Sequence, residues 1–237
     1  MILTHLRGSV ACLMDLARCR NRDGQIWLNV ASSFLVLPEY VNLDNSVFFR
    51  LAPFLPVLRH MLKDEYVRNV CQYREARERA QVMLHDCRRR LPFPAESVNH
   101  ILCSHFLEHV YPDEAERIVG DFYRVLVPGG TLHVVVPSLD HIVDAYRNGA
   151  CDSDSLVEAM ILSSRRRPTL RFRVLEFVGY EGLKHRWMYD RDAITKRVLA
   201  AGFQSTELSG IPSKDVHVED GGGSIHVAAC RPMRMSA

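Results

Sequence analysis

Residues whose types and spacing could do chemistry fall in three places. In Gln25–Ser46, QIWLNVASSFLVLPEYVNLDNS, an apolar run leads into a small-residue loop, Ala31-Ser32-Ser33, and a second short apolar run ends on an acid, Asp44. That is the layout of a cofactor site at the first strand of a doubly wound sheet, although such sites normally carry glycine where the backbone turns sharply or touches its ligand. Further on, Ser104 and His105 close an apolar run, SVNHILCS, and His109 follows four positions after His105. A histidine whose ordinary pKa lies near neutrality can take a proton from a hydroxyl. Imidazoles four apart share a face only if both positions are helical, and position 105 reads as loop, so no metal site is expected from this pair. Lastly, two basic clusters at 88–90 and 165–173 read as a solvated face or as a contact for an anionic acceptor.

The elements that must position these residues are legible in outline. VYPDEAERIVGDFYRVLVPGG predicts a helix with Pro112 near its start, Asp113 and Glu114 at the positive dipole end, and Ala115, Ile118, Val119, Phe122 and Leu126 on one face. Pro128-Gly129-Gly130 stops it, and TLHVVVP follows as a β-branched run suited to a strand buried on both faces. With SVNHILCS upstream this is a βαβ unit, hence a right-handed crossover in a parallel sheet. Further strands are expected at 26–31, 40–44, 81–85, 204–209 and 224–230, and a helix from an Asp190 N-cap to a Gly202 stop. Residues 48–80 and 140–185 read as mostly helical, and Leu6, Val10, Leu13 and Leu16 share a face of an N-terminal docking helix. Only residues 31–39 separate the first two strands, too few for an ordinary helical crossover.

Composition bounds the rest. The chain has 237 residues, 47% apolar and 24% charged, which suits a globular protein of one large domain. A formal net charge of +2 does not argue for nucleic acid or membrane as a bulk partner, and no apolar run approaches the roughly 18 residues that span a bilayer. Seven cysteines without CxxC spacing read as reduced thiols of a cytoplasmic protein, with neither a disulfide framework nor a zinc site.

Taken together, three blocks resemble the class I S-adenosylmethionine-dependent methyltransferases, of the type 11-like branch found beside glycan and natural-product genes. Leu28-Asn29-Val30-Ala31-Ser32-Ser33 with Val41-Asn42-Leu43-Asp44 stand where that branch has LNLGCG…GFINLD, with the same short crossover. The second block matches at Asp86, Leu91-Pro92-Phe93, Ser97, Ser104, Leu107-Glu108-His109, Arg124-Val125-Leu126 and Pro128-Gly129-Gly130. HRWMYDRDAITKRVLAAGF followed by SIHVAACRP resembles the C-terminal signature. The resemblance implies an α/β fold: a doubly wound, mainly parallel seven-stranded sheet, Rossmann-like, over residues 25–237, with helical insertions near 48–80 and 140–185 and an N-terminal helical segment at 1–24. It also implies S-adenosyl-L-methionine as cofactor, held by Asn29, Ala31, Ser32, Ser33, Asp44, Asp86, Cys87 and Ser104. Asp44 would accept from the ribose hydroxyls or serve as a turn acid; Asp86 would lie beside the adenine amino group or serve as a turn residue, and Cys87 would contribute its backbone N–H. His105 is the candidate base, or else a packed or substrate-orienting imidazole. Glu108 and His109 would brace the following helix. His185, Trp187 and Tyr189 would close over the acceptor or form a packing cluster.

Two departures bear on function. Ala31 and Ser33 replace the loop glycines, at about 1 kcal/mol each if the backbone there needs positive φ. Asn99 replaces an acid and keeps hydrogen-bonding capacity as a brace. The expected reaction is methyl transfer to an oxygen of a small-molecule or sugar-type acceptor, anionic or carrier-bound, rather than nucleic acid. The alternative is a non-catalytic relative whose loop pocket is filled by Phe34 or Leu35.

Overall fold

Short runs buried on both faces build the sheet. In the computed structural model, which describes residues 15–33, 35–54, 64–162, 184–216 and 221–234, seven strands form one sheet: β1 (Trp27–Val30), β2 (Val41–Asp44), β3 (Val82–Leu84), β4 (Val98–Ser104), β5 (Leu126–Pro137), β6 (Gln204–Ser205) and β7 (Ser224–Cys230). Their spatial order is β3-β2-β1-β4-β5-β7-β6. The first five pair in parallel, and β7 runs antiparallel to both β5 and β6. The helices are α1 (Val47–Leu51), α2 (Asp64–Arg79), α3 (Pro112–Val125), α4 (Leu139–Arg147), α5 (Ser153–Ala159) and α6 (Arg191–Ala200).

α3 follows its sequence signals. Pro112 opens it, the Tyr111 N–H donates to the Glu114 carboxylate at 3.1 Å, and Ala115, Ile118, Val119, Phe122 and Val125 are buried against the sheet. Such a face contributes on the order of 1.5–3 kcal/mol for each large aliphatic or aromatic side chain. Asp190 caps α6 by accepting the Ala193 N–H at 2.7 Å. β5 starts earlier than expected, at Leu126 rather than Thr131, because the Pro-Gly-Gly stop is itself taken into the sheet with a register shift opposite Val98–His100. Gly129 makes this possible at φ 80°, and a Cβ there would stand 2.6 Å from Met233 Sδ. The strand expected at 204–209 is only Gln204–Ser205, paired at the sheet edge, and gives way to a 3-10 turn at Leu208–Gly210. In the two insertions, α1, a 3-10 turn at Ala52–Phe54, α2, α4 and α5 supply helix; residues 55–63 and 163–183, the latter with the second basic cluster, lie outside the described residues. So do residues 1–14 of the expected docking helix, of which a 3-10 turn at Leu16–Cys19 is described.

Among its described residues the short β1–β2 crossover contains no helix. Two buried asparagines do the work of one: Asn29 Nδ2 donates to Asn42 Oδ1 at 2.9 Å and to the Leu35 carbonyl at 2.7 Å. Asn42 Oδ1 also accepts the Leu37 N–H at 2.9 Å, and Asn42 Nδ2 faces the carbonyls of Leu37, Tyr40 and Gln81 at 3.0–3.1 Å. A tight parallel return would otherwise leave these backbone groups unpaired in the interior. Asn99 is the brace expected of it: Oδ1 accepts the Ile26 N–H at 3.0 Å where the chain enters β1.

Candidate active site

The carboxyl ends of β1, β2 and β4 meet along one edge, the edge at which open α/β sheets bind ligands. Ala31 and Ser33, just after β1, have φ 55° and 50°, and His105, just after β4, has φ 49°. Non-glycine residues adopt this left-handed region only where the surroundings impose it, and such positions gather at functional sites. The loop therefore does need positive φ at the two positions where glycine is replaced.

Asp44 holds that loop. Its Oδ2 accepts the Ser33 N–H at 2.8 Å and its Oδ1 the Ser46 N–H at 2.5 Å. Burial pushes its carboxyl up, and the backbone donors at Ser46, Ser33 and Asn45 oppose that shift. A carboxylate has about four lone-pair sites, so these backbone donors leave it some acceptor capacity. The Ser33 hydroxyl lies 2.8 Å from the Tyr73 hydroxyl on α2, and the Ser32 N–H donates to the Leu43 carbonyl at 3.0 Å. Asn29 faces the crossover described above rather than the edge. Leu35 is exposed and fills nothing; Phe34 lies outside the described residues.

After β3, Asp86 is engaged by its own neighbour. Arg88 donates to both carboxylate oxygens at 3.0 and 3.1 Å, and Arg89 stands 3.8 Å away. Burial raises this carboxyl, but the Arg88 hydrogen bonds and charge outweigh it and hold the group below its ordinary value. Cys87 is buried with its thiol pushed up to about 12 by desolvation, so it is no nucleophile. His85, which sequence reasoning assigned only to the strand end, has Nε2 buried with no hydrogen-bond partner among the described residues. Burial lowers its pKa, with a backbone hydrogen bond to Arg89 opposing.

At the end of β4, the Ser104 hydroxyl is likewise buried without a partner among the described residues. His105 Nδ1 is 3.3 Å from Oε1 of Glu108, and its Nε2 is 3.3 Å from the Ser224 hydroxyl on β7. Glu108 is wholly buried, in a 3-10 turn at Leu107–His109. Its carboxylate does not brace the helix start as expected; it turns inward beneath His105, and neither oxygen meets hydrogen-bond geometry with a described group. His109 Nδ1 faces the Lys184 carbonyl at 3.1 Å, and its ring meets that of His185 edge-on at 5.0 Å between centroids. His185 is buried and its pKa is lowered by desolvation, against the opposing charge of Glu108. Trp187 is exposed, whereas Tyr189 is fully buried: it bridges to Ser138, and its hydroxyl donates to the Leu107 carbonyl at 3.4 Å. The structure thus brings Ser104, His105, Glu108, His109 and His185 together, and places Tyr189 in the packing beneath them. The chemical signal for Glu108 was an acid inside an otherwise apolar turn, and for His85 its place directly after a strand on the ligand edge.

The groove at the first basic cluster lies between Cys87–Leu91 and α3. Within it Arg117 donates to the Arg88 carbonyl at 2.8 Å, and Arg124 pairs with Asp121 at 2.6 Å.

The seven-stranded sheet with its flanking helices is an α/β fold of the Rossmann-like methyltransferase kind. Residues 60–134 match the sequence profile of the family described as Methyltransferase domain, less than half of the chain. That match supports an S-adenosyl-L-methionine-dependent methyltransferase. Among curated proteins no match is found. Among solved structures, the chain is similar to one from the complex between the Haloferax volcanii Trm112 methyltransferase activator and the putative methyltransferase, with 12% identity over 89% of this chain and 83% of that one and a TM-score of 0.48. It is also similar to an S-adenosylmethionine-dependent methyltransferase from Mesorhizobium loti, with 14% identity over 86% and 90% and a TM-score of 0.44. A third is a possible histamine N-methyltransferase from Thermotoga maritima, with 11% identity over 86% and 81% and a TM-score of 0.44. No described helix is long and apolar enough to cross a membrane.

Proposed function

We propose that the chain transfers a methyl group from S-adenosyl-L-methionine to an oxygen of a small-molecule or sugar-type acceptor. The observation that carries this reading is His105, held at φ 49° at the end of β4 with its imidazole between the buried Glu108 carboxylate and the Ser224 hydroxyl. The acid beside Nδ1 and the hydroxyl beside Nε2 fix the ring at the strand end, and proton transfer from an acceptor hydroxyl would use Nε2 in place of its contact with Ser224.

The residues of the edge fit the cofactor. The Ser104 hydroxyl and His85 Nε2, buried without a partner among the described residues, are polar atoms that a bound ligand would satisfy, and Asp44 retains acceptor capacity for a ribose hydroxyl. When bound, the cofactor supplies a methyl group on a sulfonium, which needs alignment and exclusion of water more than activation. In this reading Ala31–Ser33 and Asp44 seat the donor, Ser104 orients it, and His105 takes the acceptor's proton. His185 and Trp187 stand on the acceptor side. The basic groove of Arg89, Arg90 and Arg117 suits an anionic or carrier-bound acceptor.

A non-catalytic relative is the competing reading, favoured by Asp86 and the Ser33 N–H being already engaged within the chain. Calorimetric titration of S-adenosylhomocysteine into the purified protein separates the two. Binding on the order of micromolar, lost in Asp44→Ala with the fold intact by circular dichroism, supports the enzyme. No heat at high ligand concentration from a folded protein sinks it.

A further inference from the structure

We propose that Glu108, His109 and His185 form a binding site for one divalent transition-metal ion of the zinc class. One ligand atom from each of the three lies within 4.8 Å of the others, and His109 Nε2 is 4.0 Å from Glu108 Oε1. Zinc bonds of roughly 2.0–2.2 Å place neighbouring ligand atoms about 3.4 Å apart, so small side-chain rotations close the set around an ion. The ligands come from segments far apart in sequence that the backbone already ties together: the Glu108 carbonyl accepts the N–H groups of Arg186 at 2.6 Å and Trp187 at 3.1 Å.

A second observation points to a cation. Glu108 is wholly buried, yet neither of its carboxylate oxygens has a hydrogen-bond partner among the described residues, and Oε1 lies 3.3 Å from His105 Nδ1 and 4.0 Å from His109 Nε2. Buried carboxylates are paired, hydrogen-bonded or coordinated to metal. The His105 imidazole stands 3.3 Å from Oε1.

The imidazoles are set as ligands. A neutral imidazole has one donor and one acceptor nitrogen, and metal-binding histidines give the donor to a carbonyl or carboxylate that fixes the tautomer. His109 Nδ1 has the Lys184 carbonyl at 3.1 Å, which leaves the Nε2 lone pair toward Glu108. His185 Nδ1 lies 3.3 Å from Met188 Sδ, a weak hydrogen-bond acceptor. Two imidazoles and one carboxylate select zinc and its first-row neighbours over magnesium and calcium, which take oxygen ligands. Three protein ligands leave one coordination position open, beside the candidate base His105. The site uses no cofactor contact, so it stands whether or not the chain transfers methyl.

The test is metal uptake by the full chain without cofactor. Protein stripped with a chelator is given zinc or cobalt(II), passed through gel filtration and assayed for bound metal. One ion per chain is expected, with a cobalt spectrum showing nitrogen- and oxygen-type d–d bands and no thiolate charge transfer. Glu108→Gln and His185→Ala are expected to weaken zinc at least about tenfold, while magnesium does not compete. Lack of stoichiometric uptake by the folded wild-type protein overturns the site, as does a thiolate spectrum or wild-type affinity in both variants. Should a variant unfold, the wild-type chain decides: zinc is expected to protect His109 and His185 from carbethoxylation in peptide maps, and unprotected histidines overturn the proposal. Titration of S-adenosylhomocysteine, run separately, reports on cofactor binding alone.

Discussion

Ala31 carries a left-handed backbone, φ 55°, that glycine adopts freely and alanine adopts at about 1 kcal/mol. Its side chain packs only at the margin of the core. Ala31→Gly is therefore expected to stabilise the protein by up to about 1 kcal/mol, a rise of about 2–4 °C in a chain of this size, read by thermal melting. A fall in melting temperature would mean that the alanine methyl contributes more packing than its backbone costs. Ser33 shares the strain at φ 50° but its hydroxyl also meets Tyr73 at 2.8 Å, so Ser33→Gly is expected to gain less. His105 is the third strained residue of the edge, and here strain places a functional group. His105→Ala is expected to lower the rate of methyl transfer by on the order of 10²–10⁴ while leaving S-adenosylhomocysteine affinity within about twofold. Loss of cofactor affinity instead would move His105 from proton transfer to binding.

The β1–β2 crossover shows how element geometry rests on side chains that periodicity does not register. Asn29 and Asn42 sit in strands that read as apolar, and their amides close the loop and tie it to Gln81 ahead of β3. Asn42→Ala would strip the Leu37 N–H, the Asn29 amide and three carbonyls of a partner at once. Each buried group left unpaired costs about 1–3 kcal/mol, and relaxation recovers part of the sum, so a loss of about 2–4 kcal/mol is expected in denaturant unfolding. A loss below about 1 kcal/mol would show that water replaces the amide. α3 is clamped in a comparable way: Asp121 accepts the Leu91 N–H at 2.6 Å, and Arg124 donates to the Phe93 and Leu91 carbonyls at 2.8 and 3.0 Å. The strands buried on both faces and the capped helices α3 and α6 were legible because burial and capping act locally, through residue type and spacing. The inward turn of Glu108 was not, since the short 3-10 turn at Leu107–His109 that sets it against His105 has no periodic pattern to announce it. Nor was the pairing of Asp86 with Arg88, because a run of three arginines reads as a solvated face until one of them finds an acid two residues away. Tyr189 joined the packing through its bridge to Ser138, a contact between strand end and helix entry that no single segment encodes.

At the scale of the whole molecule, the face of the sheet away from the helix α3 carries a chain of histidines, His100 and His133 buried and His226 half-buried. His100 on β4 has Nδ1 2.7 Å from the Thr131 hydroxyl and Nε2 2.9 Å from the Ser213 hydroxyl; His133 on β5 meets the same Ser213 at 2.8 Å and His226 on β7 at 3.1 Å. One hydroxyl shared by two imidazoles is satisfied when it accepts from one ring and donates to the other, which requires the donor-receiving ring to be neutral. Burial and the neighbouring His133 lower the His100 pKa to about 3, so the folded protein excludes a proton that the unfolded chain takes up near the ordinary value of 6.5. A lowered folded pKa means that the unfolded state binds more protons between those values, so stability is complete above about 6.5 and falls as pH drops toward 3. His85 and His185 are shifted in the same direction by burial and add to the fall, while the raised Asp44 opposes it at the acid end. The limiting slope for one proton is about 1.4 kcal/mol per pH unit, so denaturant unfolding at pH 5.5 is expected to show about 1–2 kcal/mol less stability than at pH 7.5. His100→Gln keeps a polar group against Ser213 without a titrating proton, and is expected to be less stable at pH 7.5 yet to lose less on acidification. A wild-type profile flat between those two pH values would mean that this face opens to admit the proton, and that the three strands it joins are not held by neutral imidazoles.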